Sequence, residues 1–158
     1  MAELLYKQVM RKIQESAVLY HRLTLIVAPP GAGKTLALRE VAAETGAPLV
    51  NVNLEMSRRM LDLTEQQRAL LLPRLLDEIV IEADGNIVLL DNTEILFDVR
   101  LKQDPLRLLQ GLARNHTVVA AWSGALDKEH IVYAEPGHHE YRRYPISGFL
   151  VASPGISA

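Results

Sequence analysis

The chain has 158 residues, of which 49% are hydrophobic and 5% aromatic, and it contains no cysteine. This length fits one domain whose core is mostly aliphatic, and the lack of cysteine excludes disulfides and thiolate metal sites. Because 17 basic residues are balanced by 19 acidic ones, the net charge of −2 provides no overall attraction to nucleic acid or to an anionic membrane.

The first predicted element is a helix over residues 3–20, because Leu5, Val9, Ile13 and Ala17 recur at every fourth position. We interpret it as a helix that packs on a sheet, with a partner-binding helix as the alternative. The N-terminal stretch lacks the apolar segment of a signal peptide, and no apolar run approaches the ~20 residues of a membrane span. We therefore expect a cytoplasmic protein with no membrane contact.

The segment LTLIVAPPGAGKTL predicts a buried strand, a tight loop and the start of a helix. Gly31, Gly33, Lys34 and Thr35 stand where a phosphate-binding loop requires them, although Ala28 replaces the first glycine of the usual pattern. In such a loop, backbone N–H groups and a helix N-terminus converge on an anion. Lys34 would reach the β- and γ-phosphates of a nucleotide, and the Thr35 hydroxyl would hold Mg²⁺. The predicted nucleotide-binding residues of the loop are Pro30, Gly31, Ala32, Gly33, Lys34, Thr35 and Leu36.

The next helix is expected from about Lys34 to Thr45, with Gly46 as its C-terminal cap. A second strand, PLVNVN, follows it. At the end of this strand, Asn51 and Asn53 either face a nucleotide crevice or cap the next segment.

From Glu55 to Ala83 the pattern is helical but interrupted. Thr64 and Gln67 match a capping box, and Pro73 fits the first turn of a helix. A further helix is expected to begin at Asp104-Pro105, with the aspartate as its cap.

The remaining predicted strands are Asn86–Leu90, Thr117–Trp122 and a short one at His130–Tyr133. A polar turn, PGHHE, and an apolar piece at Ile146–Val151 complete the tail, residues 130–158. Alternating helices and near-continuous apolar strands predict an α/β fold, in which helices cover both faces of a mainly parallel sheet of about five strands. We expect a single P-loop NTPase domain over residues 1–158, a three-layer αβα sandwich without a lid domain.

The second motif, IVLLDNTE, places Asp91 at the end of a buried strand. A carboxylate there can bind Mg²⁺ opposite Thr35, and a strand-capping aspartate is the alternative.

Hydrolysis of a nucleotide also requires a group that orients water. Many ATPases have a glutamate directly after the aspartate, where this chain has Asn92. We predict that Glu94, three positions after Asp91, is the catalytic carboxylate, and that Lys34 and Asn92 are the other catalytic residues. The alternative is that Glu94 caps the next segment and Asn92 only positions a water weakly. We therefore expect slow turnover even where nucleotide binding is good.

Ser123 is expected to end the fourth strand, where it would sense the γ-phosphate or act as an ordinary turn residue. Arg142 and Arg143 are candidates for an arginine finger that reaches the nucleotide of a neighbouring subunit. Arg100 and Arg114 are weaker candidates, and the alternative for each arginine is a solvated surface charge.

Four segments together carry a family resemblance: APPGAGKT, LLDNTEILFD, LARNHTVVAAWSG and VYAEPGHHEYRRY. Over roughly residues 5–150 the chain resembles BrxF, the small P-loop protein of type 3 BREX phage-defence systems in bacteria. The resemblance implies an AAA-like ATPase that uses ATP and Mg²⁺ and has an added strand beside the P-loop strand. It also implies work with the other proteins of a BREX system.

The leading hypothesis is therefore an ATP-binding and ATP-hydrolysing switch or motor subunit that forms nucleotide-promoted homo-oligomers. Scattered arginine pairs are not a basic stripe, so contact with DNA is expected only in the assembled complex. One alternative is a nucleotide-dependent assembly module with little or no hydrolysis. A small-molecule kinase is less favoured, because Asn51 and Asn53 replace the acidic residue that binds the acceptor and no lid is evident.

Overall fold

The computed structural model describes residues 4–154 of the chain. Within this range the α-helices are Leu5–Glu15 (α1), Lys34–Thr45 (α2), Val52–Met60 (α3), Glu65–Ala83 (α4) and Pro105–Leu112 (α5). The strands are Leu23–Ala28 (β1), Leu49–Asn51 (β2), Ile87–Asp91 (β3), Thr117–Asp127 (β4), His130–Tyr133 (β5), Arg142–Pro145 (β6) and Leu150–Ala152 (β7). Short 3₁₀ helices span Ser16–Val18, Thr93–Phe97 and Val99–Leu101. Every helix in this part of the chain is too short or too polar to cross a lipid bilayer.

Five strands form a parallel sheet in the order β2-β3-β4-β1-β7. Alternate side chains of each strand enter two separate cores, one on either face. Ile26 joins Val9 of α1 and Leu38 of α2 in the smaller core, whereas Leu25 and Val27 join the larger core with α3, α4 and α5. This three-layer arrangement confirms the predicted α/β fold, and β4 is the added strand beside β1.

The fourth strand is longer than predicted, because β4 continues past Trp122 and leaves the parallel sheet. Its second half pairs antiparallel with β5, and β5 pairs with β6, a strand that the sequence did not indicate. The Trp122 indole N–H donates to the Val132 carbonyl at 3.1 Å, which ties the hairpin to the end of the parallel sheet. We refer to β5, β6 and the second half of β4 as the β-hairpin extension.

The second strand is shorter than predicted. It ends at Asn51, and Val52 and Asn53 belong to α3. The Asn51 side chain accepts a hydrogen bond from the Leu54 amide at 3.0 Å, so it caps the helix, which was the alternative to facing the crevice.

The prediction for Pro73 is wrong, because this proline lies inside α4 and not in a first helical turn. A proline has no N–H, so the carbonyl of Ala69 one turn earlier loses its helical partner. The Gln103 side chain supplies the missing donor at 2.7 Å. This long-range contact lets the helix continue through the proline, whereas the predicted capping box of Thr64 and Gln67 is present at its start.

The two ends of the described chain meet beside β1. The predicted helix over residues 3–20 ends at Glu15 and is followed by a 3₁₀ turn, while residue 3 lies outside the described range. The predicted apolar piece at Ile146–Val151 forms β7 only from Leu150 onward. The buried amide of Gln8 pairs with both the N–H (2.8 Å) and the carbonyl (3.2 Å) of Ser153, so α1 holds the segment that follows β7.

We predict that Gly124→Ala destabilises the β-hairpin extension, because β4 and β5 leave no room for a methyl group at this position. A Cβ atom there would overlap the carbonyl oxygen of Val132 and lie 3.0 Å from the Trp122 indole. Separating the strands should lower the free energy of unfolding by about 1–3 kcal/mol, measured by urea denaturation.

The matched control is Gly111→Ala on the exposed side of α5, where the added methyl meets no atom within 4 Å beyond its chain neighbours and the backbone of the helix itself. An alanine in a helix should leave stability unchanged or raise it by up to about 1 kcal/mol. A Gly124→Ala protein as stable as the parent would contradict the close packing of β4 on β5.

Candidate phosphate-binding site

The loop between β1 and α2 is shaped by two glycines in the left-handed region. Gly31 has φ +80° and Gly33 has φ +96°, values that strain any residue with a Cβ. Ala28 ends β1 without a positive φ, which explains why alanine is tolerated where the usual motif has a glycine. The loop leads directly into α2, whose first N–H groups have no partners within the helix and so favour an anion.

Lys34 lies beneath this loop and is only 7% exposed. Its ammonium donates to the carbonyls of Ala28 at 2.8 Å and Pro29 at 2.9 Å. Burial lowers the pKa of Lys34, and the nearby carboxylates of Glu94 and Asp91 oppose that shift. Neutral carbonyls compensate a buried charge only in part, so a phosphate would supply the negative partner that the lysine lacks at the loop.

Asp91 faces the start of α2 from the end of β3 and is 7% exposed. Its Oδ2 accepts a hydrogen bond from the Thr35 hydroxyl at 2.7 Å, and its Oδ1 accepts one from the Asn92 amide at 2.9 Å. A carboxylate and a hydroxyl are hard oxygen donors of the kind that Mg²⁺ prefers, and Mg²⁺ is usually bound by few protein groups together with phosphate and water. These two side chains therefore fit a nucleotide-associated Mg²⁺ ion.

Glu94 lies on the same side of the sheet and is carried by the 3₁₀ helix Thr93–Phe97. Its Oε1 accepts a hydrogen bond from the Ser123 hydroxyl at 2.7 Å. Ser123 does not end its strand as predicted, because β4 continues to Asp127. It pairs instead with Ala28, at the point where β1 gives way to the loop.

A pocket of about 260 Å³ brings most of the predicted site residues together. Its wall consists of Pro30, Gly31, Gly33, Lys34, Thr35, Leu36, Asp91, Asn92, Glu94 and Ser123. Leu36 is 61% exposed at the rim. Ala32 lies in the loop but not on the wall, and its amide donates to the Pro29 carbonyl at 3.3 Å. The loop, the aspartate, the glutamate and the serine thus share one cavity.

The predicted arginines are not on the wall of this pocket. Arg142 lies on β6 and donates to a backbone carbonyl before α5 at 3.1 Å, and its neighbour Arg143 pairs with Asp127. Of the weaker candidates, Arg100 pairs with a nearby carboxylate at 2.7 Å and Arg114 lies over a tyrosine ring. The structure therefore places neither Arg142 nor Arg143 on the wall of this pocket in its own chain.

Thr93 lies beside this site, between two residues of its wall, and the sequence analysis did not single it out. It is 2% exposed and its hydroxyl donates to the Ala121 carbonyl at 2.5 Å. The local signal was weak, because a threonine between Asn92 and Glu94 is equally compatible with an exposed turn.

Comparison with known proteins places the loop, β2 and β3 in one family region. The family model described as ATPase family associated with various cellular activities (AAA) matches residues 24–119. Among solved structures, the structure of C. elegans PCH-2 is similar at 19% identity with a TM-score of 0.45, covering 78% of this chain and 37% of that chain. The chain thus spans well under half the length of that structure. No curated protein matches the chain.

Proposed function

This chain belongs to the AAA family of ATPases, and from that premise we propose that it binds ATP with Mg²⁺ in the pocket described above and hydrolyses it. The observation that supports this proposal is the convergence of Lys34, Thr35, Asp91 and Glu94 on one cavity of about 260 Å³. These side chains come from two stretches of the chain, residues 34–35 and residues 91–94, so their meeting is a product of the fold.

The phosphates would be held mainly by the start of α2. Its free N–H groups and the Lys34 ammonium face the same pocket, and both favour negative charge. Thr35 and Asp91 would hold Mg²⁺, which supplies neutralisation of charge on the β- and γ-phosphates when it is bound. The hydrogen bond between these two side chains keeps the oxygen donors together before the ion arrives.

Glu94 would orient the attacking water. Ser123 occupies its Oε1 atom, and Oε2 would accept a hydrogen bond from that water. Ser123 lines the same pocket as Glu94, so its hydroxyl would exchange the carboxylate for an oxygen of an entering γ-phosphate. Nucleotide binding would in this way break the Glu94–Ser123 hydrogen bond and release the catalytic carboxylate.

A second candidate function is a nucleotide-dependent assembly module with little or no turnover. It is favoured by Asn92 in the position that usually carries the glutamate, and by the engagement of Glu94 with Ser123. The two functions share the binding step and differ only in the release of phosphate.

We predict that Lys34→Ala and Glu94→Gln have different effects. Lys34→Ala should weaken ATP·Mg²⁺ binding by about 100-fold or more, because the phosphates lose their buried cation. Glu94→Gln should keep the affinity and lower kcat by about 100-fold, because an amide cannot act as a base. Calorimetry measures the first effect and a phosphate-release assay the second.

The controls for this pair are Lys7→Ala on α1 and Glu78→Gln on α4, both remote from the pocket. Neither should change affinity or turnover. Parent-like hydrolysis by Glu94→Gln would disprove the role of Glu94, and tight binding without phosphate release by the parent would favour the assembly module.

We further propose that the active form is a homo-oligomer promoted by nucleotide. Transition-state charge in phosphoryl transfer is commonly stabilised by an arginine, and among residues 4–154 none of those that line this pocket is an arginine. Arg142 and Arg143, on the β-hairpin extension, would act on the nucleotide of a neighbouring subunit.

We predict that the mass of Glu94→Gln in solution increases when ATP·Mg²⁺ is added, as light scattering would measure. Arg143→Ala should still bind ATP but lose turnover, and mixing it with Lys34→Ala should restore part of the activity, because mixed oligomers regain complete sites. Arg74→Ala, an exposed arginine of α4, is the control. A mass that ATP does not change, or no recovery on mixing, would contradict a finger supplied by a neighbour.

We also propose that this ATPase works in the cytoplasm with the other proteins of a bacterial BREX defence system, and that it meets DNA only in their assembled complex. The resemblance of four segments to BrxF supports this role.

In a host whose BREX system contains this chain, deletion should abolish phage resistance, and the parent gene should restore it. Lys34→Ala should not restore it although Lys7→Ala does, as phage plating efficiency would show. Full resistance after deletion would overturn the assignment.

A further inference from the structure

The chain leaves β3 by an unusual turn immediately before Glu94. Asn92 has φ +53°, in the left-handed region that asparagine tolerates better than most residues. If β3 had continued, the Asn92 N–H would have paired with the carbonyl of Ala121 on β4, one step beyond the last registered pair, Leu90 and Ala120. The Asn92 N–H turns instead to the Asp91 carboxylate at 2.9 Å.

Thr93 takes the place of the missing backbone donor. Its hydroxyl donates to the Ala121 carbonyl at 2.5 Å, and the side chain is 2% exposed. Since water cannot replace a buried donor, removing this hydroxyl would leave the carbonyl without a partner. The bond therefore fixes the backbone directly before Glu94 to the strand that carries Ser123.

The other end of the 3₁₀ helix Thr93–Phe97 is fixed by aromatic contacts. Phe97 stacks on Tyr133 of β5 with ring centroids 3.5 Å apart and planes at 8°. It also meets Trp122 edge to face at 5.0 Å. Glu94 is thus presented by a short helix that is held at both ends, by the parallel sheet at one and by the β-hairpin extension at the other.

We propose that Thr93 is the positioning residue for Glu94, and that the Phe97–Tyr133 stack is the second anchor of the same helix. This inference rests on the proposed hydrolytic role of Glu94. The inference explains how a carboxylate three positions after Asp91 reaches the pocket. The backbone of Glu94 is held at two fixed points, in addition to the hydrogen bond between its side chain and Ser123. This inference also gives the β-hairpin extension a role in turnover.

The test compares Thr93→Val with Thr93→Ser and with Thr45→Val. Thr45 makes the same type of bond, from its hydroxyl to the Val41 carbonyl at 2.7 Å, at the far end of α2. Thr93→Val should lower kcat by about 10- to 100-fold through misplacement of Glu94. KM and the ATP dissociation constant should stay unchanged, because Thr93 is not on the pocket wall. Thr93→Ser should recover most of the activity, and Thr45→Val should behave like the parent.

A double-mutant cycle separates positioning from a general loss of structure. Because Thr93 acts through Glu94, adding Thr93→Val to Glu94→Gln should cause no further loss of kcat. A further loss of equal size, or an increase in KM that matches the loss of kcat, would overturn the proposal. If Thr93→Val does not fold, Phe97→Leu tests the second anchor. This variant should likewise lower kcat and leave KM unchanged.

Amide hydrogen exchange distinguishes failure of this inference from failure of the proposed function. If Glu94→Gln abolishes turnover and Thr93→Val does not, the positioning role is wrong and the hydrolytic role stands. If the parent shows no turnover at all, the hydrolytic role is wrong. Hydrogen exchange then decides by itself whether Thr93 anchors the helix. Protection of residues 94–97 should then fall in Thr93→Val but not in Thr45→Val, and unchanged protection would overturn the anchor.

Discussion

The hydrogen bond from the Thr35 hydroxyl to the Asp91 carboxylate, at 2.7 Å, is the contact on which the site depends. It joins the start of α2 to the end of β3 across β4, which lies between β1 and β3 in the sheet. Because parallel strands all end at the same edge, a loop after β1 and an acid after β3 face each other there. The strand between them contributes Ser123 to the same edge, so three strands build one pocket.

The charges at this edge are suited to the proposed binding of nucleotide phosphates together with Mg²⁺. A buried Lys34 with a lowered pKa lies on one side, and the carboxylates of Asp91 and Glu94 lie on the other. Separate positive and negative groups suit this proposal, because phosphates and Mg²⁺ require opposite charges within one small cavity. The loop carbonyls that hold the lysine are weaker partners than a phosphate, so nucleotide binding would exchange a poor interaction for a strong one.

The β-hairpin extension contacts the helix that carries Glu94 and also bears arginines that are partly exposed. Its Tyr133 supports the helix that carries Glu94, and its Arg142 and Arg143 are the proposed contacts to a neighbouring subunit. Burial raises the pKa of Tyr133 to about 12, with the carboxylates of Glu140 and Glu94 adding to the effect, as expected for a phenol enclosed by aromatic rings. A neighbour that shifts this extension would therefore also shift Glu94, the proposed catalytic carboxylate.

Local sequence was sufficient for the fold class, the phosphate-binding loop and several helix ends. Patterns such as the loop glycines, the Thr64 capping box and Gly46 act through hydrogen bonds and backbone angles of adjacent residues, so they can be interpreted without knowing the fold. The length of β4, the position of Pro73 within α4 and the anchor at Thr93 were not predictable in this way. The length of β4 reflects its antiparallel pairing with β5, and the Lys128-Glu129 turn between these strands lacks the glycine or asparagine typical of a two-residue hairpin. The helix through Pro73 depends on Gln103, and Thr93 depends on Ala121. These two partners are distant in sequence, and only the tertiary structure brings them within hydrogen-bonding distance.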